Sequence, residues 1–157
     1  MLELRVESAF DPISIQLVEA LWREEVQLYG NSGPCKFRPD EIAGPLSRFL
    51  VAVLSGEAVG CGAIRPLADG VAEIKRMFVI PRARRQGIGR QLIDELVQQA
   101  RELKYHTVRL ETGVRQPEAI ALYEGAGFTR IPCWGEFAND PVSICFEKQI
   151  ASMGEKQ

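Results

Sequence analysis

The stretch EIKRMFVIPRARRQGIGR, residues 73–90, decides how this chain is read. Its first half belongs to a strand over Val71 to Ile80, ended by Pro81. Plain alternation along that strand puts Glu73, Lys75 and Met77 on one face and Ile74, Arg76 and Phe78 on the other. A short basic loop then leads into the clearest helix of the sequence. Ile88, Leu92, Leu96 and Leu103 stripe one side of it, and Ile93, Val97 and Ala100 widen the stripe. A helix N-terminus exposes unpaired N–H groups and partial positive charge. Gly87 and Gly89 let the backbone come close to an anion, and Arg82, Arg84, Arg85 and Arg90 add guanidinium donors suited to phosphate oxygens. The segment Arg84-Arg85-Gln86-Gly87-Ile88-Gly89-Arg90 therefore reads as a pyrophosphate cradle. Two commoner phosphate motifs fail. Leu92 stands where GxGxxG needs its third glycine, and no GK[ST] is present. A helix start with a solvated basic loop is the competing reading; the strand-to-helix context and the four arginines favour the cradle.

Upstream, Leu2, Leu4 and Val6 alternate with charged residues as in a half-buried strand. Asp11-Pro12 starts a helix whose face is marked by Ile13, Leu17, Leu21 and Leu28, and Gly30 to Pro34 breaks it. Pro39-Asp40-Glu41 starts a short second helix. Phe49 to Leu54, Ala58 to Leu67 and Val71 to Ile80 form an antiparallel meander joined by tight turns. Downstream, Thr107 to Thr112 is a strand. A strand, helix and strand in succession imply a crossover and a locally parallel pair. Pro117 to Gly125 is a short helix, Gly127-Phe128 opens a strand, Val142 to Glu147 is the last strand, and Ala151 to Gln157 is a frayed tail. These elements predict an α+β domain with a mixed sheet.

At 157 residues, the chain is expected to form one domain spanning 1–157. A hydrophobic fraction of 46% with 25% charged residues supplies a core and argues against disorder. Nineteen basic and 21 acidic residues leave a net charge of −2, which argues against general nucleic-acid binding. The longest apolar run, Phe49 to Leu54, is far too short for a membrane span, and the first residues lack a signal-peptide core. The cytoplasm is the expected location. Cys35, Cys61, Cys133 and Cys145 form no CxxC pair, and His106 is the only histidine, so no metal is expected. The thiols are expected to be free, with Cys61 and Cys145 filling the core and Cys35 and Cys133 in loops.

With Arg84, Gly87 and Gly89 matching [RQ]-x-x-G-x-[GA] after the strand Lys75 to Pro81, the sequence resembles the GCN5-related N-acetyltransferase (GNAT) family. A second block, Ala119-x-x-Leu122-Tyr123 followed by Gly127-Phe128, matches as well. The resemblance implies the acyl-CoA N-acyltransferase fold, a mixed, mostly antiparallel central sheet flanked by helices. It implies acetyl-CoA as donor and an amine of a small molecule or peptide as acceptor. By resemblance, Arg84, Arg85, Gln86, Gly87, Ile88, Gly89 and Arg90 hold the CoA pyrophosphate, and the backbone of Met77, Phe78 and Val79 pairs with the pantetheine as an added strand. Gln116, three residues before Ala119, replaces an asparagine common in the family and keeps a side chain able to bond pantetheine.

Acetyl transfer from a thioester to an amine needs a base for the ammonium, a donor for the carbonyl oxygen and an acid for the leaving thiolate. Tyr123 occupies the family's acid position; packing of the short helix is its competing role. Glu73 occupies the position of the family's catalytic glutamate and is the expected base, acting through water. A salt bridge to Lys75 or another cation is its structural alternative. Glu111 is the second choice, its competing role being a pair with Arg76 or Arg109, and His106 reads as a surface or cap residue. A backbone N–H near Met77 or Phe78 is the expected oxyanion donor. Acceptor selection is expected from the first two helices and the loop 132–140. Trp134 and Phe137 are candidate walls; Glu24, Glu25, Glu136 and Asp140 are candidate ammonium partners, with Tyr29 nearby, and Arg38 or Arg65 candidate carboxylate partners. A non-catalytic acetyl-CoA sensor is the second class of function compatible with the same cradle. A homodimer is the general expectation for assembly.

Overall fold

The computed structural model describes residues 1–30 and 35–151. The expected helix break across Gly30 to Pro34 and the expected tail from Ala151 thus fall mostly outside the described residues. Helix α1 spans Pro12–Tyr29. Asp11 Oδ1 accepts from the Ile13 N–H at 3.0 Å, proline fills the first turn, and Gly30, left-handed at φ 71°, closes the C-terminus onto the Val26 carbonyl. The buried stripe is Ser14, Leu17, Val18 and Leu21, while Ile13 is exposed. Leu17, Val18 and Leu21 face the core as expected, and only in the first turn does Ser14 take the place expected for Ile13. Burial of Ser14 is tolerated because its Oγ donates to the Ser8 carbonyl at 2.8 Å, which leaves no orphaned hydroxyl.

Seven strands form one sheet: β1 (Leu2–Glu7), β2 (Arg48–Leu54), β3 (Glu57–Ala68), β4 (Val71–Val79), β5 (Thr107–Gly113), β6 (Thr129–Ile131) and β7 (Ser143–Gln149). Their spatial order is β1-β2-β3-β4-β5-β7-β6, and only β4 and β5 run parallel. The meander and the crossover are as expected, the crossover being helix α2 (Ile88–Glu102). Helix α3 (Pro117–Gly125) follows β5. Each sheet face carries a core. On one, α2 buries Ile88, Leu92, Ile93, Leu96, Val97 and Ala100 against residues such as Leu50, Ile64 and Ile74. On the other, α1 sets Leu17, Val18 and Leu21 against Phe49, Val51, Ala63 and Phe78.

Strand β4 departs from the expected alternation. Ala63 pairs with Lys75 and Cys61 with Phe78, so Arg76 and Met77 together oppose Gly62. Arg76 takes a left-handed φ of 58°. This β-bulge advances the side-chain phase by one. Ile74, Met77 and Val79 consequently share the α2 face, and Phe78 is buried on the α1 face. Alternation read straight through the strand placed Met77 with Glu73, and the bulge overturns that grouping.

The four thiols are not all free. Cys133 and Cys145 are joined by a disulfide with their Cα atoms 5.2 Å apart. Pairing of Ile131 with Cys145 brings the start of the 132–140 loop beside β7 and makes the bond reachable. Cys35 and Cys61 remain free, and complete burial pushes the Cys61 thiol up to about 12. Titration of the protein unfolded without reductant is expected to count two thiols, rising to four after reduction. A count of four before reduction removes the bridge from the native protein.

Candidate active site

Strands β4 and β5 pair only as far as Ile74 and Leu110, although β4 runs on to Val79 and β5 to Gly113. They splay apart beyond that point. The edge of β4 facing the splay is thus left without a strand partner along residues 75–79, apart from the Val79 carbonyl, which accepts from Arg84. A cleft of about 220 Å³ opens there. Its walls are Leu21 and Glu25 from α1, Glu73 to Met77 from β4, Glu111 and Thr112 from β5, Gln116 before α3, Ala119 and Tyr123 within it, and Glu136 and Phe137. The last two sit on a 3₁₀ turn over Gly135–Phe137.

Tyr123 is buried, its ring centroid 6.1 Å from those of both Phe128 and Phe146. Its hydroxyl makes no hydrogen bond within the described residues, and its edge reaches the cleft. Burial, with the charge of Glu111 added, holds its phenol well above the ordinary tyrosine value. Glu111 lies on β5 and accepts from Ser143 Oγ at 2.8 Å; neither Arg76 nor Arg109 pairs with it. Desolvation drives its carboxyl up to about 7, helped by Glu25 and Asp140 and opposed by Ser143 and Lys75. Glu73 is 2% exposed and committed: Arg65 Nε stands 3.2 Å from Oε1 and Lys75 Nζ 3.9 Å from Oε2. Burial also raises the carboxyl of Glu25.

The loop entering α2 has two left-handed residues, Arg85 at φ 65° and Gly87 at φ 80°. No side chain caps the helix, and no acidic residue lies in its first turn. A Cβ on Gly87 would meet nothing within 4 Å, so the backbone there faces open space. Successive N–H groups in such a loop form an anion-binding concavity. Gly89 serves packing instead. A Cβ there would come within 3.0 Å of Leu122, so the glycine permits α2 and α3 to approach closely. The arginines differ as well. Arg84 is turned inward, its Nε donating to the Val79 carbonyl at 2.8 Å and Nη2 to Glu24 at 2.6 Å. Arg82 is bidentate on Glu57, and Arg90 is held by Asp94 and the Gly125 carbonyl. Arg85 is exposed and reaches only Glu118, at 4.0 Å.

Gln116 Oε1 accepts from the Gly113 N–H and the Tyr29 hydroxyl, both at 3.2 Å, leaving its amide N–H groups available. Trp134 lies behind Phe137, edge-on at 5.9 Å, rather than in the cleft. Of the other acceptor candidates, Asp140 caps the Val142 N–H, Glu24 is taken by Arg84 and Arg38 pairs with Asp40. His106 bonds Thr107 and lies outside the cleft. Sequence reasoning does not place Arg76 or Thr112 in the site. The bulge that turns Arg76 inward has no local signature, because its left-handed residue is not a glycine. Among the described residues no cluster of His, Cys, Asp and Glu is arranged to hold a metal, and no helix is long and apolar enough to cross a membrane.

A splayed parallel pair feeding an uncapped, glycine-bearing helix start is the architecture of acyl-CoA-dependent acyltransferases, and known proteins agree. The Acetyltransferase (GNAT) family profile matches residues 15–128. The IAA acetyltransferase of Azospirillum brasilense is 40% identical over 145 residues, covering 92% of this chain and 95% of that protein. A Klebsiella pneumoniae structure provisionally called an acyl-CoA N-acyltransferase superposes with a TM-score of 0.78 at 34% identity, covering 95% of this chain and 97% of the other. The PaiA N-acetyltransferase of Thermoplasma acidophilum, solved with coenzyme A, shares the fold at 17% identity and a TM-score of 0.76, covering 96% of this chain and 99% of that one. The chain belongs to the GNAT family of acetyltransferases, and it is an acyltransferase.

Proposed function

We propose that this chain, acting as one domain, transfers an acetyl group from acetyl-CoA to a primary amine of a small molecule or peptide, by direct attack within a ternary complex. Acetyl-CoA supplies an activated thioester. The open edge of β4 at Met77, Phe78 and Val79 suits the pantetheine amides, and the Gln116 amide and the Ala119 surface suit its other side. The main-chain amides of Gln86, Gly87, Ile88, Gly89 and Arg90 suit the diphosphate, with Arg85 as the exposed cation. Arg84 braces the loop through Glu24.

An acceptor ammonium must lose a proton before its nitrogen can attack the carbonyl carbon. Glu111 takes that proton, directly or through water. It is preferred to Glu73 because Glu73 is already bound by two cations, whereas Glu111 sits near neutrality. A backbone N–H of Met77 or Phe78 donates to the carbonyl oxygen as it gains charge. The C–N bond forms, the C–S bond breaks, and the Tyr123 hydroxyl protonates the departing sulfur. The nitrogen sheds its second proton to solvent, and Tyr123 is reprotonated. One proton is released per turnover. The observation that carries this reading is the juxtaposition, in one cleft, of a phenol without a partner and a carboxyl raised to about 7.

The test is acetyl-CoA-dependent thiol release across a panel of amines. Acetyl-CoA binding without turnover of any amine favours a sensor instead. Gly87→Ala is expected to weaken acetyl-CoA binding at least tenfold by calorimetry. The methyl group projects into the open face of the loop, and left-handed φ costs alanine about 1–2 kcal/mol. Unchanged affinity removes the cradle from that loop.

A further inference from the structure

We propose that Arg76 anchors a carboxylate on the acceptor, so that the amine acetylated here belongs to an amino acid or another small aminocarboxylate. The proposal rests on the transferase reading above. Carboxylates alone suffice to receive a plain alkylammonium, and Glu25, Glu111 and Glu136 line the cleft. Two cations line it as well. Lys75 is engaged by Glu73, with its ammonium 5.7 Å from the Phe137 ring centroid. Arg76 keeps donors in reserve. A guanidinium carries five N–H donors. One group, Nη2, donates to Glu41 at 3.0 Å, and the guanidinium carbon lies 5.1 Å from the Phe37 ring centroid. Nε is buried without a partner, the one such side-chain atom among the described residues. Nη1 makes no hydrogen bond among the described residues and is not buried, so on the cleft side the guanidinium offers free N–H groups to a ligand oxygen.

The backbone is built to present this side chain. Arg76 occupies the bulge at φ 58°, a conformation that disfavours any residue with a Cβ, and the Cys61 thiol donates to its carbonyl at 3.2 Å. The cleft is also polarised. The charge of Arg76 acts on Glu25 and Glu41, whereas that of Lys75 acts on Glu25 and Glu111. An acceptor with its ammonium toward Glu111 and its carboxylate toward Arg76 places opposite charges at both ends. Arginine grips a carboxylate through two parallel hydrogen bonds, which an amide or a methyl group cannot replace. A cleft of about 220 Å³ suits a small acceptor of this kind.

Thiol release is measured with acetyl-CoA and the common amino acids, each beside its carboxamide and its decarboxylated amine. At least one acid is expected to show kcat/KM tenfold or more above its amide. In Arg76→Gln that ratio falls toward one, and Arg76→Lys gives an intermediate value. A second readout needs no variant. The carboxylate with the same skeleton but no amine competes with the best acid on the native protein, and its carboxamide does not. Amide and alkylamine turned over as well as the acid, a ratio that survives Arg76→Gln in a folded protein, or no competition by the carboxylate each overturn the proposal while leaving the transferase standing. Acetyl-CoA binding with no amino acid turned over also overturns it. Absence of both acetyl-CoA binding and turnover defeats the transferase reading itself.

Discussion

Tyr123→Phe is expected to lower kcat by about 100-fold or more, the contribution usual for a positioned proton donor, with donor affinity nearly unchanged. The substitution is clean because the hydroxyl bonds nothing among the described residues, so its loss leaves no orphaned partner. The ring keeps its contacts with Phe128 and Phe146, and the melting temperature should move by less than about 2 °C. Burial and the Glu111 charge raise the phenol, so it stays protonated across the working range until charge develops on the sulfur. The native pH profile should accordingly show no alkaline limb from Tyr123 below about pH 10. Stopped assays of thiol release, beside calorimetry of acetyl-CoA, separate the two effects. A fall of less than threefold in kcat removes the acid role.

Glu111→Gln should have two opposite consequences. Activity falls by about 100-fold or more, and the acidic limb of kcat/KM, centred near pH 7 in the native protein, disappears. Stability moves the other way. The carboxyl is raised from 4.5 to about 7 in the fold, so the native state binds its proton more tightly than the unfolded chain. That contribution is complete below about pH 4.5 and lost as pH rises through 7. Above neutrality the native protein carries a partly desolvated charge that glutamine lacks. A shift of this size, discounted for partial solvent access, makes the variant about 1–2 kcal/mol more stable at pH 8. Glutamine can still accept from Ser143. Thermal melts at pH 5 and pH 8 check the sign: the gap should be open at the higher pH and narrow at the lower. A variant that keeps the acidic limb excludes Glu111 as the base.

What could be read in the sequence was whatever depends on neighbours along the chain. The stripe of α2, the cap at Asp11 and the Gly87 turn before α2 are local patterns, and each is found where expected. What could not be read depends on register between distant segments. Cys133 reaches Cys145 only because β6 pairs with β7. Glu73 is committed to a cation because Arg65 lies opposite it on β3, whereas β7 supplies Glu111 with Ser143 rather than a cation. Carboxylates on adjacent strands look alike in sequence, and the cations across the ladder decide which is free. Ser14 in place of Ile13 on the buried side of α1 follows from one acceptor, the Ser8 carbonyl, that no periodicity reveals.

The extra residue at Arg76 gives β4 two incompatible frames, one for the segment before it and one for the segment after. Removing Arg76 would leave Lys75, Met77 and Phe78 in plain alternation, so Met77 would stay in the α2 layer and Phe78 in the α1 layer, whereas one residue added to the strand would move one of them unless a second bulge absorbed it. This strand should therefore accept point changes, and loss of the bulge residue itself, over evolutionary time more readily than an added residue. The same holds for laboratory libraries: those that remove Arg76 should yield folded proteins, and those that add a residue to the strand should not.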